Sequence, residues 1–181
     1  MDEIKILFYV LATFLGGEET YIAAEKATVV IDPVAKTITI GQEDLFTVVM
    51  ETRDHLKVID KLTEVTENTG WREELAEYPT VSCELYEGAN GALHANLLLE
   101  YRSDEDLKDY GLTYHEEGYF SFTNFPQDNL RTDDGKLHGN YWHFDATRAF
   151  KFSLEPSDTM PDEVKVLKMR LLDVWREIKS K

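Results

Sequence analysis

The residues best suited to chemistry fall between Asn124 and Asp145, where Asp128, Asn129, Asp133, Asp134, His138, Tyr141, Trp142, His143 and Asp145 are interspersed with Pro126, Gly135 and Gly139. Functional groups are often displayed on loops of this composition. If residues 140–145 are extended, side chains two apart share a face, so Tyr141, His143 and Asp145 form one row while Trp142 and Phe144 form the other. A carboxylate beside an imidazole can orient it. A third partner from His138, or from His115-Glu116-Glu117, would complete a transition-metal or acid–base site. The candidate ligand-binding residues are therefore Tyr141, His143, Asp145 and His138. The plainer alternative is a solvated strand face carrying two polar neighbours. On that balance no residue is assigned a catalytic role, and neither a metal nor a cofactor is expected.

Calcium is the other cation the segment invites, but the spacing fails the helix–loop–helix pattern. Two positions before Asp134, where an oxygen ligand is needed, stands Thr132, and two before that stands Leu130. Asp133-Asp134-Gly135-Lys136 reads as a tight turn. Aromatic side chains offer a different chemistry. Tyr114, Tyr119, Phe120, Phe122, Phe125, Tyr141, Trp142, Phe144, Phe150 and Phe152 crowd the C-terminal half, where rings with a polar edge suit apolar ligands, glycans or protein partners, although most are needed to fill a core. The lone Cys83 shares a strand face with Val81 and Leu85, as a small buried hydrophobe would, and it permits no intramolecular disulfide. His55 near a helix start, and His94 on the polar face opposite Leu93 and Ala95, are weaker candidates.

The chain contains no Gly-x-Gly-x-x-Gly turn, no phosphate-cradling Gly-Lys-Ser/Thr loop and no Gly-x-Ser-x-Gly elbow. These absences remove the familiar enzyme signatures and favour a non-enzymatic binding or interaction protein. A metal-assisted or hydrolase-like enzyme using His143 and Asp145 stands as one alternative, and an acidic inhibitor or immunity protein covering a basic partner as another. The charge bears on partners. With 35 acidic against 19 basic residues the net charge is -16, spread along the chain, and no run of Lys or Arg offers the cationic footprint that phosphate backbones require. Nucleic acid is not expected as a partner, whereas a basic protein or a small apolar ligand would be compatible.

These residues must be positioned by elements that the hydrophobic pattern sketches. Thr28–Ile31 and Thr37–Ile40 are β-branched runs around Asp32-Pro33-Val34-Ala35-Lys36, the clearest hairpin in the chain. Leu56, Ile59, Leu62 and Val65, with Val58 beside them, mark an amphipathic helix near 53–67, and Trp71–Tyr78 adds a helical turn stopped by Pro79. Strands are expected around Val81–Leu85 and Leu93–Tyr101, joined at Asn90-Gly91, then at Leu112–Tyr114, Tyr119–Phe125, Asn140–Asp145 and Ala149–Leu154. A short helix after Ser103 should end at Gly111. Val164, Leu167, Leu171, Val174, Trp175 and Ile178 recur at helical spacing, predicting a C-terminal helix near 161–179 with Trp175 buried.

The expected fold class is α+β, a mostly antiparallel sheet with two main helices, about 53–67 and 161–179, packed on one face. Residues 18–181 read as a single domain. Residues 1–17 form an apolar segment resembling either a buried element or a leader with an atypically acidic start, so extracytoplasmic and cytoplasmic locations both stay open. The run is too short to span a bilayer, which takes about 20 apolar residues.

Overall fold

A computed structural model describes residues 22–48, 52–67, 78–79, 81–126, 129–155 and 160–180. The apolar segment 1–17 and most of the turn expected at Trp71–Tyr78 lie outside the described residues. The chain builds two antiparallel sheets. The larger contains β1 (Ala23–Asp32), β2 (Thr37–Val48), β3 (Val81–Glu87), β4 (Leu93–Glu100), β9 (Phe150–Leu154) and β10 (Lys168–Arg170), with β3-β4-β2-β1-β9 as the strand order and β10 alongside β2. The smaller contains β5 (Leu112–His115), β6 (Tyr119–Thr123), β7 (Gly135–His138) and β8 (Tyr141–Asp145), in the order β5-β6-β8-β7.

The expected hairpin is the spine of the larger sheet. Its turn is held by Asp32, whose Oδ1 accepts from the Val34 and Ala35 N–H groups, both at 2.9 Å. Ala27, Val29 and Ile31 on β1 and Ile38 and Ile40 on β2 point into the core. The buried alternation then shifts by one residue, to Ala24 and Leu45, at the level where Asp44 adopts a left-handed φ of 56°. Ala23 and Phe46 are thereby turned to the opposite side, where Met160 packs on them.

The helix α1 (Thr52–Thr66) forms where the periodicity places it, but rotated. Its core stripe is Val58, Leu62 and Val65, while Leu56 is 60% exposed. Ser103 precedes a 3-10 helix at Asp104–Tyr110 that buries Leu107 and closes at Gly111, whose φ of 76° favours glycine.

The C-terminal helix expected at 161–179 is instead two helices, α2 (Asp162–Lys165) and α3 (Leu172–Lys179), interrupted by β10. The cause is tertiary. Along β2, β4 covers only Thr37–Gln42, and β10 fills the edge beyond it, opposite Phe46–Val48. Those cross-strand bonds outweigh helical propensity over three residues, and Leu167 is left 42% exposed. Trp175 and Leu171 are buried as expected, and α3 packs beside α1.

One apolar cluster runs through both sheets, α1 and α3. The inner face of the smaller sheet, with Phe120, Phe122 and Phe144, closes onto Phe150 and Phe152 of β9. Its other face is turned outward.

Candidate functional site

Alternation on the smaller sheet separates two sets of side chains. Phe120 and Phe122 on β6 and Phe144 on β8 point inward and are buried. Tyr119, Ser121, His143 and Asp145 therefore point outward, together with His115 opposite Tyr119 and with Lys136 and His138 on β7. The turns hold these short strands in register. Gly118 closes the β5–β6 turn at φ 87°. Gly135 is needed for space, since a Cβ there would stand 2.6 Å from the Phe144 ring.

This register assembles a continuous row of four rings. His115 stacks on Tyr119 with centroids 4.5 Å apart, Tyr119 on His143 at 4.4 Å, and His143 on His138 at 4.7 Å. The interplanar angles of 14°, 18° and 26° make each contact a near-parallel stack. The row crosses all four strands. At one end, His115 Nε2 lies 2.8 Å from Ser121 Oγ, which fixes that imidazole in plane. Near the other end, Tyr141 pairs in register with His138 and is 50% exposed.

His143 sits in the middle, half-buried, and its pKa is lowered below the usual histidine value. Burial is the largest cause, followed by the neighbouring imidazoles of His138 and His115. The arrangement thus favours the neutral form of the central His143 ring.

Of the residues singled out from sequence, the structure brings His138 and His143 into contact, with Tyr141 beside them. Asp145 follows a different path. Its carboxylate accepts from the Thr147 hydroxyl at 2.7 Å and the Thr147 N–H at 2.9 Å, and Arg148 lies 3.6 Å away. The Thr147 bonds, supported by Arg148, hold its carboxyl below the usual range against a small opposing effect of burial. The imidazole of His143 is oriented by rings on both sides, and Asp145 orders the turn that follows it. Among the described residues no three His, Cys, Asp or Glu side chains are grouped so that they could hold a metal ion.

The sequence pattern does not single out Ser121, and it offers Tyr119 only among the aromatic side chains of the C-terminal half, without placing it beside His143. The signal was present in the polar half of the Tyr119–Phe120–Ser121–Phe122–Thr123 alternation. His115, expected as a third partner in a metal or acid–base site, instead ends a stack. Cys83 behaves as expected, packed against the core beside Val81 and Leu85, and burial pushes its thiol up to about 12 with help from Glu84. His94 departs from the exposed position expected for it. It is buried under Tyr86, with Nε2 3.0 Å from Asn90 Oδ1 and 3.4 Å from Asp44 Oδ1, and Asn90 Nδ2 donates to Asp44 Oδ1 at 2.7 Å. That cluster pins the β3–β4 turn to the left-handed residue of β2.

No known protein family, characterised protein or solved structure matches this chain. Any functional reading therefore rests on the geometry above. No helix among the described residues is long and apolar enough to cross a membrane.

Proposed function

We propose that this chain is a binding protein whose partner is another protein, docked through a basic, flat surface on the ring face of the smaller sheet. The observation that carries the reading is the four-ring row. Stacked planar groups form a flat, stiff platform with little side-chain entropy left to lose on association, and tyrosine, present in the row as Tyr119 and beside it as Tyr141, is enriched in the buried centres of protein interfaces. Charge supports the choice of partner. Glu116 and Glu117 in the β5–β6 turn and Asp145 at the end of β8 are exposed around one end of the row, and the chain as a whole carries -16. A basic surface would be steered toward the platform and met by an acidic rim. The exposed Tyr141 extends the apolar area.

The test compares partners captured in the source cells by the wild-type chain and by a Tyr141→Ala/His143→Ala variant whose folding is checked by circular dichroism. The reading expects at least one protein that is lost with the variant, and that binds the purified wild-type chain more weakly as salt is raised. Identical captured sets for the two proteins would refute it.

A further inference from the structure

On the outer face of the larger sheet lies a groove of about 270 Å³ lined by Lys26, Thr28, Arg131, Thr132, Asp133, Lys151, Phe152 and Ser153. Its lining combines three cationic side chains with one carboxylate, in a chain whose net charge is -16. The sequence shows no such cluster, because its members come from β1, β9 and the segment before β7. Register brings them together: Thr28 lies opposite Ser153, and Lys151 opposite Val30, so Lys26, Thr28, Lys151 and Ser153 all face outward.

The third wall is fixed rather than draped. Arg131 and Ser153 exchange two backbone hydrogen bonds, each 2.9 Å. Thr132 Oγ1 donates to the Lys151 carbonyl at 2.6 Å and accepts from the Asp134 N–H at 3.0 Å. Asp134 Oδ2 in turn accepts from the Lys151 N–H at 3.0 Å. These bonds use up Thr132 and Asp134 as scaffolding. Arg131, Lys26 and Lys151 bring cations and Thr28 and Ser153 bring hydroxyls to the groove, with Asp133 as an acceptor. Arg131 reaches Glu155 at 3.1 Å and Lys26 reaches Glu43 at 3.9 Å. The Lys26–Glu43 pair is exposed and of the kind that contributes little, whereas Glu155 is only 19% exposed and holds one edge of the Arg131 guanidinium, whose side chain is itself 60% exposed.

We infer that this groove binds a small phosphate monoester of a hydroxylated molecule, of about the size of a sugar phosphate. A doubly charged phosphate matches the planar fork of Arg131 flanked by two lysines, and hydroxyl donors complete its oxygens. Asp133 serves the other end, since a carboxylate accepts from sugar hydroxyls and repels a second phosphate. The volume sits at the lower end of small-molecule sites, which sets the size of the ligand.

Calorimetric titration of the full chain with glucose 6-phosphate, inorganic phosphate and glucose tests the inference, with amide shifts used to locate the site. Glucose 6-phosphate should bind saturably and most tightly, inorganic phosphate more weakly and glucose not at all, with shifts at residues 26–28, 131–133 and 151–153. Lys151→Gln and Arg131→Gln, both surface changes, should each weaken glucose 6-phosphate binding roughly tenfold, the loss of one charge-assisted hydrogen bond. Asp133→Asn should weaken the sugar phosphate while leaving inorganic phosphate unchanged. The inference is overturned if neither phosphate binds saturably, if glucose binds as well as its phosphate, or if Lys151→Gln and Arg131→Gln leave affinity unchanged in folded protein.

Discussion

The outer faces of the two sheets follow the same pleat yet present opposite chemistry. On the smaller sheet, four strands of four or five residues line up four rings, with Lys136 on β7 and Arg148 beside Asp145 as cations near that face. On the larger sheet, the long strands β1 and β9 and the segment 131–133 assemble a cationic groove bounded by hydroxyls. The difference teaches that alternation decides which residues face outward, while register decides which of them become neighbours. On the smaller sheet the β5–β6 and β7–β8 hairpins set two of the three pairings and the β6–β8 pairing joins them, so the stacking partners stay within 30 residues of each other. In the groove it is set by pairing between β1 and β9, more than 100 residues apart.

The strongest way to break this comparison is to remove what holds the two sheets together. Phe144 is fully buried and stacks on Phe150 at 4.6 Å. Phe144→Ala should cost about 3–5 kcal/mol, as large-to-small core changes do, and should shift the urea midpoint strongly. A loss below about 1 kcal/mol would mean that the smaller sheet is not anchored through this ring.

A smaller effect is expected from Gly135→Ala. The added methyl would meet the Phe144 ring, so the overpacking should cost about 1–3 kcal/mol. Gly118→Ala should cost about 1 kcal/mol for a different reason, its φ of 87° with open space around the missing Cβ. Equal effects at the two glycines would blur the distinction between a packing constraint and a backbone constraint.

The pH dependence of the ring face sharpens the contrast with the charged groove. His143 has a folded pKa below its ordinary value of 6.5, so the unfolded chain takes up a proton first as pH falls. This histidine therefore contributes no penalty above pH 6.5, and stability declines as pH falls from there through the lower folded value. Chemical denaturation at several pH values should show that decline, and His143→Ala should reduce its slope between pH 7 and 5. An unchanged slope would place the titration elsewhere.

The smallest effects belong to the side chains that only decorate each face. Tyr141→Ala and Lys151→Gln should each change stability by no more than about 0.5 kcal/mol, because both side chains are exposed. Thermal unfolding would show this, and a larger loss at either position would mean that the site residue also carries the fold.

Local patterns were enough to read much of the architecture. The β1–β2 hairpin follows from β-branched runs around Asp32-Pro33, the Asn90-Gly91 turn from its dipeptide, and the end of the 3-10 helix from Gly111, because each depends on dihedrals set by a few adjacent residues. Burial of Trp175 and the half-buried, core-facing position of Cys83 followed from periodicity for the same reason. The outward row of Tyr141, His143 and Asp145 was legible, but its chemistry was not, since Asp145 bonds its own turn while Tyr119 and His115 complete the stack. Periodicity cannot see across strands, so it also missed that Lys168–Arg170 would leave a helix to satisfy the open edge of β2. It rotated α1 wrongly, because Leu56 and Val58 are equivalent as apolar residues until a sheet lies against one of them. Nor could it gather Lys26, Arg131 and Lys151 from across the chain, for their meeting depends on hydrogen-bonded register between segments that only the folded chain brings together.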